Sequence, residues 1–326
     1  MYFMDCHCHI GVDGHLQDPE LLMNRLSQQP RARSRGFFNV MSTYHLDLEF
    51  LATLIKLDSN NVLVPYFGVH PWYSHLFSTD RQLSKSDHYK LVLTTVPEDL
   101  LHILPDPIYI EDHLEKVMRL IKKCEALQKA YAIGEIGLDK LFRIPSNGFY
   151  GNQEHKSGVS LTAAKVQMDH QKIIFLRQLE LADKLSKPVS LHCVKAHGPL
   201  FDILHASFLN IPAVTLHSYT GSSDQAKRWN KSFLKQQRKL YFSFSNFING
   251  EKDKALQLAE LLLLISNDQI LFETDSPIDR YFLHNREDEY FGHLHQIQRI
   301  VCDLKGIPEA DCNSMVQRNS LRLHGF

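Results

Sequence analysis

Asp5-Cys6-His7-Cys8-His9 is the stretch that decides how the chain is read. Tyr2 and Phe3 before it are strand formers, and side chains on a strand alternate faces, so His7 and His9 point the same way. Two imidazoles on one face at a strand end are able to hold one metal ion. Cys6 and Cys8 are then expected to share the other face as a thiol pair packed in the core, since no second C-x₂-C pair completes a zinc site. An isolated x-H-x-H pair is equally well explained by two half-exposed histidines. The pair gains weight because His, Glu and Asp recur at the ends of later strand-like runs.

Working outward, Leu16 to Gln28 reads as a helix opened by Asp18-Pro19, with Asp as N-cap and Pro at the first helical position. The basic run Arg31 to Arg35 reads as a solvated loop. Strand-like runs follow at Phe37 to Ser42, Val62 to Val69, Tyr131 to Ile133, Pro188 to His192, Ala213 to His217, Leu240 to Ser245 and Gln269 to Phe272. Helical spacing occupies most of the intervals, as in Leu46 to Leu57, Glu111 to Leu127 and Ala163 to Ser186. Two helices close the chain after the last strand. Eight strands alternating with helices predict an α/β fold, a parallel (β/α)₈ TIM barrel. Two insertions interrupt it, near 74–106 and 142–161, both expected to be irregular and to serve as flaps or as surfaces for a protein partner.

The length of 326 residues suits one such barrel as a single domain, 1–326. A net charge of −1 gives no global basic field for nucleic acid or membrane, so contact with a polyanion must come from a local patch or bound cations. No apolar run approaches the roughly 18 residues of a membrane span, and no secretory segment is read at the N-terminus. Six cysteines in that setting fit a reducing compartment. A soluble intracellular protein of the cytoplasm or nucleus is expected.

Active sites of these barrels form at the C-terminal ends of the strands. Gathered there are His7 and His9 from the first strand, His70 after the third, Glu135 after the fourth, His192 and His217 after the fifth and sixth, and Asp275 after the eighth. Histidines with two carboxylates suit one or two divalent ions of the magnesium, manganese or zinc type. A carboxylate such as Glu135 can bridge two ions, and such a pair can clamp both oxygens of a phosphodiester displacement. The bland alternatives are a hydrogen-bonded core histidine for His70 and an N-cap for Asp275. Asp139 reads as a supporting or structural residue rather than a ligand. Trp72, Tyr73, Tyr219 and Phe247 are candidates for stacking on bases.

The blocks D-C-H-C-H, G-V-H-P-W, A-I-G-E-I-G-L-D, P-V-S-L-H, L-H-S-Y-T-G and L-F-E-T-D-S-P resemble, in order and spacing, those of the TatD family of metal-dependent deoxyribonucleases. The resemblance runs from residue 5 to the late helices and looks closest to a divergent eukaryotic, fungal branch. It implies an amidohydrolase-like barrel that binds two divalent metal ions and cuts DNA from the 3′ end. It also implies metal ligands at His7, His9, Glu135, His192, His217 and Asp275, with Asp275 also activating water and His70 beside the scissile phosphate. The chain departs from the family at His192-Cys193-Val194-Lys195-Ala196, where an Arg is common two residues after the histidine. Lys195 replaces that fork only as a point charge. Lys140, Arg143 and Lys195 are the candidate phosphate contacts. Two other readings compete: an amidohydrolase-type enzyme acting on a small amide, ester or lactone, and an interaction scaffold that keeps the barrel. The retained ligand set weighs against the scaffold.

Overall fold

The computed structural model describes residues 4–11, 18–29, 36–155 and 158–326. Tyr2, Phe3 and the basic run 31–35 lie outside the described residues. Eight parallel strands form one sheet: β1 Asp5–His9, β2 Phe38–Met41, β3 Leu63–Phe67, β4 Ala132–Asp139, β5 Val189–Val194, β6 Ala213–Leu216, β7 Lys239–Ser245 and β8 Ile270–Glu273. Each strand pairs with the next in this order. The remaining edges meet where the Asp275 amide donates to the His7 carbonyl (3.0 Å) and the His9 amide to the Ser276 carbonyl (2.9 Å). The barrel predicted from the alternating pattern is therefore the fold.

Nearly every strand residue is buried, as expected when helices cover the outside and side chains fill the inside. The main core joins outward-facing strand residues such as Val40, Ile133, Leu191 and Phe272 to the surrounding helices. Smaller clusters, Met41 with Val64, Tyr66 and Ala132, and Cys6 with Ala213, Tyr241, Leu271 and Leu323, pack separately from it.

The two thiols of the opening stretch do not share a face. Cys6 belongs to the cluster of Ala213, Tyr241 and Leu271, whereas Cys8 lies in the main core. The β1–β2 register shifts between Asp5 and Cys8, and such an irregularity breaks strict alternation. A second shift lies between Ile133 and Ile136 of β4, around Glu135. Gly137 is needed beside it: at φ 156° a Cβ would sit 2.0 Å from the His192 carbonyl oxygen. Its absence lets β4 and β5 approach closely enough to face Glu135 with His192.

The first insertion is more ordered than its prolines and polar residues suggest. It contains helices Lys85–Val92 and Glu98–Ile103, the former capped by Ser84, whose side chain accepts from the Asp87 amide. Leu76, Phe77, Tyr89, Val92, Leu100 and Leu104 pack with Ile144 and Phe149 of the second insertion into a core of their own. The helix expected from Ala163 begins at Met168, because Lys165 to Gln167 bond instead to the first insertion around Val92 and Thr94.

Buried Asp47 opens the helix Asp47–Leu57 and receives the Ser42 hydroxyl (2.8 Å), the Thr43 amide (2.6 Å) and the Thr43 hydroxyl (2.8 Å). It pins the end of β2 beneath the barrel mouth. Asp47→Ala leaves these donors unpaired and is expected to cost about 3 kcal/mol, read as a lower urea midpoint.

Candidate metal centre

Glu135 is the meeting point of the strand ends. One carboxylate oxygen, Oε1, lies 2.8 Å from His217 Nε2, 2.9 Å from His192 Nδ1 and 3.3 Å from His70 Nε2. The other, Oε2, lies 3.2 Å from His7 Nε2 and 3.3 Å from His9 Nε2. Asp275 Oδ1 adds a second acceptor, 3.0 Å from His9 Nε2 and 3.9 Å from His7 Nε2. All seven residues gathered from the sequence thus converge on one chamber. Asp275 caps no helix, since Pro277 occupies the N-cap of Ile278–Phe282; its backbone holds a strained φ of 54° that aims the carboxylate at His9.

Burial alone would raise the Glu135 pKa, but the imidazoles of His70, His217 and His7 and the hydrogen bond from His192 hold it well below the carboxylate range. Burial disfavours a charged His217, yet Glu135 and Glu273 raise its pKa well above the ordinary value. Burial carries His70 the other way, down to about 4.

The supporting contacts set which nitrogen of each ring faces the centre. His7 Nδ1 engages the Ser190 hydroxyl (3.0 Å) and His217 Nδ1 engages Glu273 Oε1 (3.2 Å), so each presents Nε2 inward. In His192 the roles invert: Nε2 faces Asp139 Oδ2 (3.2 Å) and Nδ1 points inward. His70 differs. Its Nδ1 accepts the Trp72 backbone N–H (3.2 Å), which places the proton of the neutral ring on Nε2. His70 therefore turns an N–H donor, not a lone pair, toward Glu135.

These donors fit divalent metal ions. Among the described residues three groups have ligand atoms mutually within 4.8 Å: His7, His9 and Asp275; His7, His217 and Glu273, which shares His7 with the first; and His70, Glu135 and His192. The ring nitrogens His192 Nδ1 and His217 Nε2 face each other at 3.3 Å, which a shared proton or a cation resolves. Glu273 Oε2 is buried with no hydrogen-bond partner. Nitrogen and carboxylate oxygen together suit zinc, manganese or magnesium.

Glu273 is absent from the set read off the sequence, although it lies two residues before Asp275 on the same strand end, where alternation makes the pair legible. Besides His217 it receives the Ser218 amide (2.8 Å) and hydroxyl (2.6 Å). Asp5 was also passed over. It faces away from the centre and ties β1 to β8 through the Thr274 amide (3.2 Å) and hydroxyl (2.6 Å), and to the last helices through Tyr290. Asp139 holds His192 and the Trp72 indole N–H (2.8 Å), in keeping with a supporting part.

The chamber has a volume of about 590 Å³ and opens between His9, Trp72, Tyr150, Val194, Ile248 and Arg280. Lys140, Arg143 and Lys195 are exposed and do not line it. Arg143 donates instead to the Thr162 carbonyl (3.2 Å), and Lys195 stands past the end of β5. Trp72 and Tyr73 line the chamber; Tyr219 and Phe247 do not.

Comparison with known proteins agrees with this architecture. A family model described as TatD related DNase matches residues 4–325. An uncharacterized deoxyribonuclease of Saccharomyces cerevisiae is 36% identical over 284 residues, covering 85% of this chain and 84% of the relative. The Cut9-interacting protein scn1 of Schizosaccharomyces pombe is 31% identical over 310 residues, covering 83% and 86%. A 3′-5′ ssDNA/RNA exonuclease TatD of Cronobacter sakazakii is 32% identical over 148 residues, 45% of each chain. In three dimensions, a TatD homolog from Escherichia coli K12 superposes with a TM-score of 0.61 at 17% identity, covering 99% of this chain and 98% of the other. No helix among the described residues is long and apolar enough to cross a membrane.

Proposed function

The chain belongs to the family of TatD-related DNases, and from that premise we propose that it is a metal-dependent phosphodiesterase that shortens single-stranded DNA from the 3′ end. The observation that carries this reading is the convergence of five imidazoles on the two oxygens of one buried carboxylate, Glu135. His7, His9, Glu135 and Asp275 would hold one divalent ion, and Glu135, His192 and His217 a second. Bound there, such ions supply Lewis-acid polarisation of the phosphate and water activation at neutral pH.

The chain's own groups do the rest. Asp275, at the chamber surface, orients the attacking water and takes its proton. His70 offers its Nε2–H to a phosphate oxygen, a donor held in place by the Trp72 amide on the other ring nitrogen. Ser190, Asp139 and Glu273 fix the three ligand rings from behind. A chamber of this volume accepts a ligand about the size of a nucleotide, which favours attack at a strand end over the middle of a duplex.

A time course with 5′-labelled single-stranded DNA, with Mg²⁺ or Mn²⁺ against EDTA, tests the proposal. A metal-dependent ladder shortening from the 3′ end, absent in His192→Ala, is expected. Metal-loaded protein that leaves DNA intact would overturn it. Glu273→Gln is expected to weaken metal binding roughly 10–100-fold, measured by chelator competition, because the His217 ring loses its charged anchor.

A further inference from the structure

Resting on the nuclease reading, we infer that the chamber contains a two-sided nucleotide subsite: Arg280 holds the phosphate adjacent to the scissile one, and Trp72 and Tyr150 seat the terminal base. Any DNA end entering the chamber brings more than one negative charge toward Glu135 and Asp275. Of the described residues lining the chamber, Arg280 is the one lysine or arginine. It is exposed to the opening and lies five residues beyond Asp275, on the helix Ile278–Phe282 that follows β8.

The fold fixes where Arg280 stands. Its neighbour Asp279 accepts the Gly11 amide at 2.7 Å, tying the helix to the end of β1. A Cβ on Gly11 would lie 2.8 Å from Asp279 Oδ2, so a glycine is what permits this contact. The guanidinium fork is thereby carried on an anchored element, and its planar donors match a phosphate better than the point charge of Lys195.

The aromatic side is equally well placed. Trp72 follows β3, and Tyr150 comes from the second insertion, which follows β4. In an eight-strand ring β4 lies across from β8, so Tyr150 and Arg280 are supplied from opposite walls. Trp72 is immobilised: Phe142 stacks on it at 4.9 Å and 11°, and its indole N–H is bonded to Asp139. Tyr150 lies 5.7 Å from it at 54°. The other chamber aromatic, Tyr73, belongs to the same short helix as Trp72, Pro71–Leu76. Stacking on such a platform tolerates any base, while the phosphate contact distinguishes a polynucleotide end from a small ester.

The test pairs a protein change with a substrate change. Hydrolysis is compared for an all-phosphodiester oligonucleotide and for one in which the linkage adjacent to the scissile bond is a neutral methylphosphonate. Wild-type protein is expected to show a KM roughly tenfold higher on the neutral substrate, with kcat nearly unchanged. Arg280→Ala should show that higher KM on both substrates, and Arg280→Lys an intermediate value. Tyr150→Ala should likewise become insensitive to replacing the terminal nucleotide by an abasic one. An Arg280→Ala protein that still discriminates as wild type does would overturn the phosphate subsite. A Tyr150→Ala protein that keeps its sensitivity to the abasic end would overturn the base seat. Both results leave the nuclease reading standing. Wild-type protein that degrades neither oligonucleotide overturns that reading and the subsite with it.

Discussion

Glu135→Gln is expected to leave a folded protein that binds less metal and hydrolyses DNA roughly 10³-fold or more slowly, since loss of a single preorganised electrostatic partner already costs roughly 10²–10³. The amide has almost the shape of the carboxylate, so the barrel has no packing reason to change. What disappears is, among the described residues, the one negative charge that faces His7, His9, His70, His192 and His217 together. The amide also turns N–H donors toward ring nitrogens that present lone pairs. Metal content measured on the purified variant by mass spectrometry should fall below that of wild type, with the far-ultraviolet dichroism unchanged. Unaltered metal content together with unaltered hydrolysis would rule out Glu135 as the shared ligand. His192→Ala gives the complementary result: it removes one inward nitrogen and leaves Asp139 facing a void, but keeps the central charge.

The positions of these groups were legible because they obey one rule. In the sequence each stands at or just past the end of a strand-like run, and in a closed barrel those ends share a mouth, although Glu135 lies within β4, which continues to Asp139. His7, His9, Glu135, His192, His217 and Asp275 could therefore be collected without knowing any distance. Glu273 escapes because it falls one residue past the strand-like run Gln269 to Phe272, in a block that already supplies Asp275, although its spacing to Asp275 carries the signal. The residues that hold the loops were less accessible. Gln178 accepts the Val69 amide at 2.6 Å and donates to the Val69 carbonyl at 3.2 Å, fixing the backbone just before His70. Gln171 does the same for Asp139, at 2.8 Å in each direction. On the helix Met168–Leu185 both glutamines look like solvent-facing positions, and only the presence of an unpaired loop backbone above them makes burial favourable. The helices of the first insertion were hidden for a related reason. They are short, flanked by Pro97 and Pro105, and share a separate small core with the second insertion, so no long amphipathic period announces them.

Lowering the pH from 6.5 to 5 is expected to destabilise the insertion core by several kcal/mol and to open the chamber wall with it. His75, His113 and His170 are buried there, and burial lowers their pKa values to about 3, about 3 and about 4. Above pH 6.5 these rings are neutral in both folded and unfolded chains, so their contribution to stability is complete. Below it the unfolded chain takes up protons that the folded chain refuses, and stability falls by about 1.4 kcal/mol per pH unit for each ring until the folded pKa is reached. The refusal has a structural cause. His75 Nδ1 and both ring nitrogens of His113 are buried without partners, so an added proton has no acceptor, and Lys116 adds positive charge near His113. Two of these rings, with His88, bind the wall together: His75 Nε2 reaches the Gly148 carbonyl at 3.0 Å, His170 Nε2 the Ser74 carbonyl at 2.9 Å, and His88 Nε2 the His75 carbonyl at 2.8 Å. Ser74 and His75 belong to the short helix that carries Trp72, and Gly148 precedes Tyr150, so this core and the base-facing side of the chamber loosen as one unit. Amide hydrogen exchange at pH 5 and pH 7 should show protection lost in Lys85–Val92 and around 144–150 before it is lost in the barrel strands. Replacing His113 by Leu, which fills the site without a titratable group, should remove part of the acid sensitivity while leaving stability at pH 7 equal or higher. Equal protection of the insertions at both pH values would show that these histidines titrate normally and that their burial does not set the acid limit of the fold.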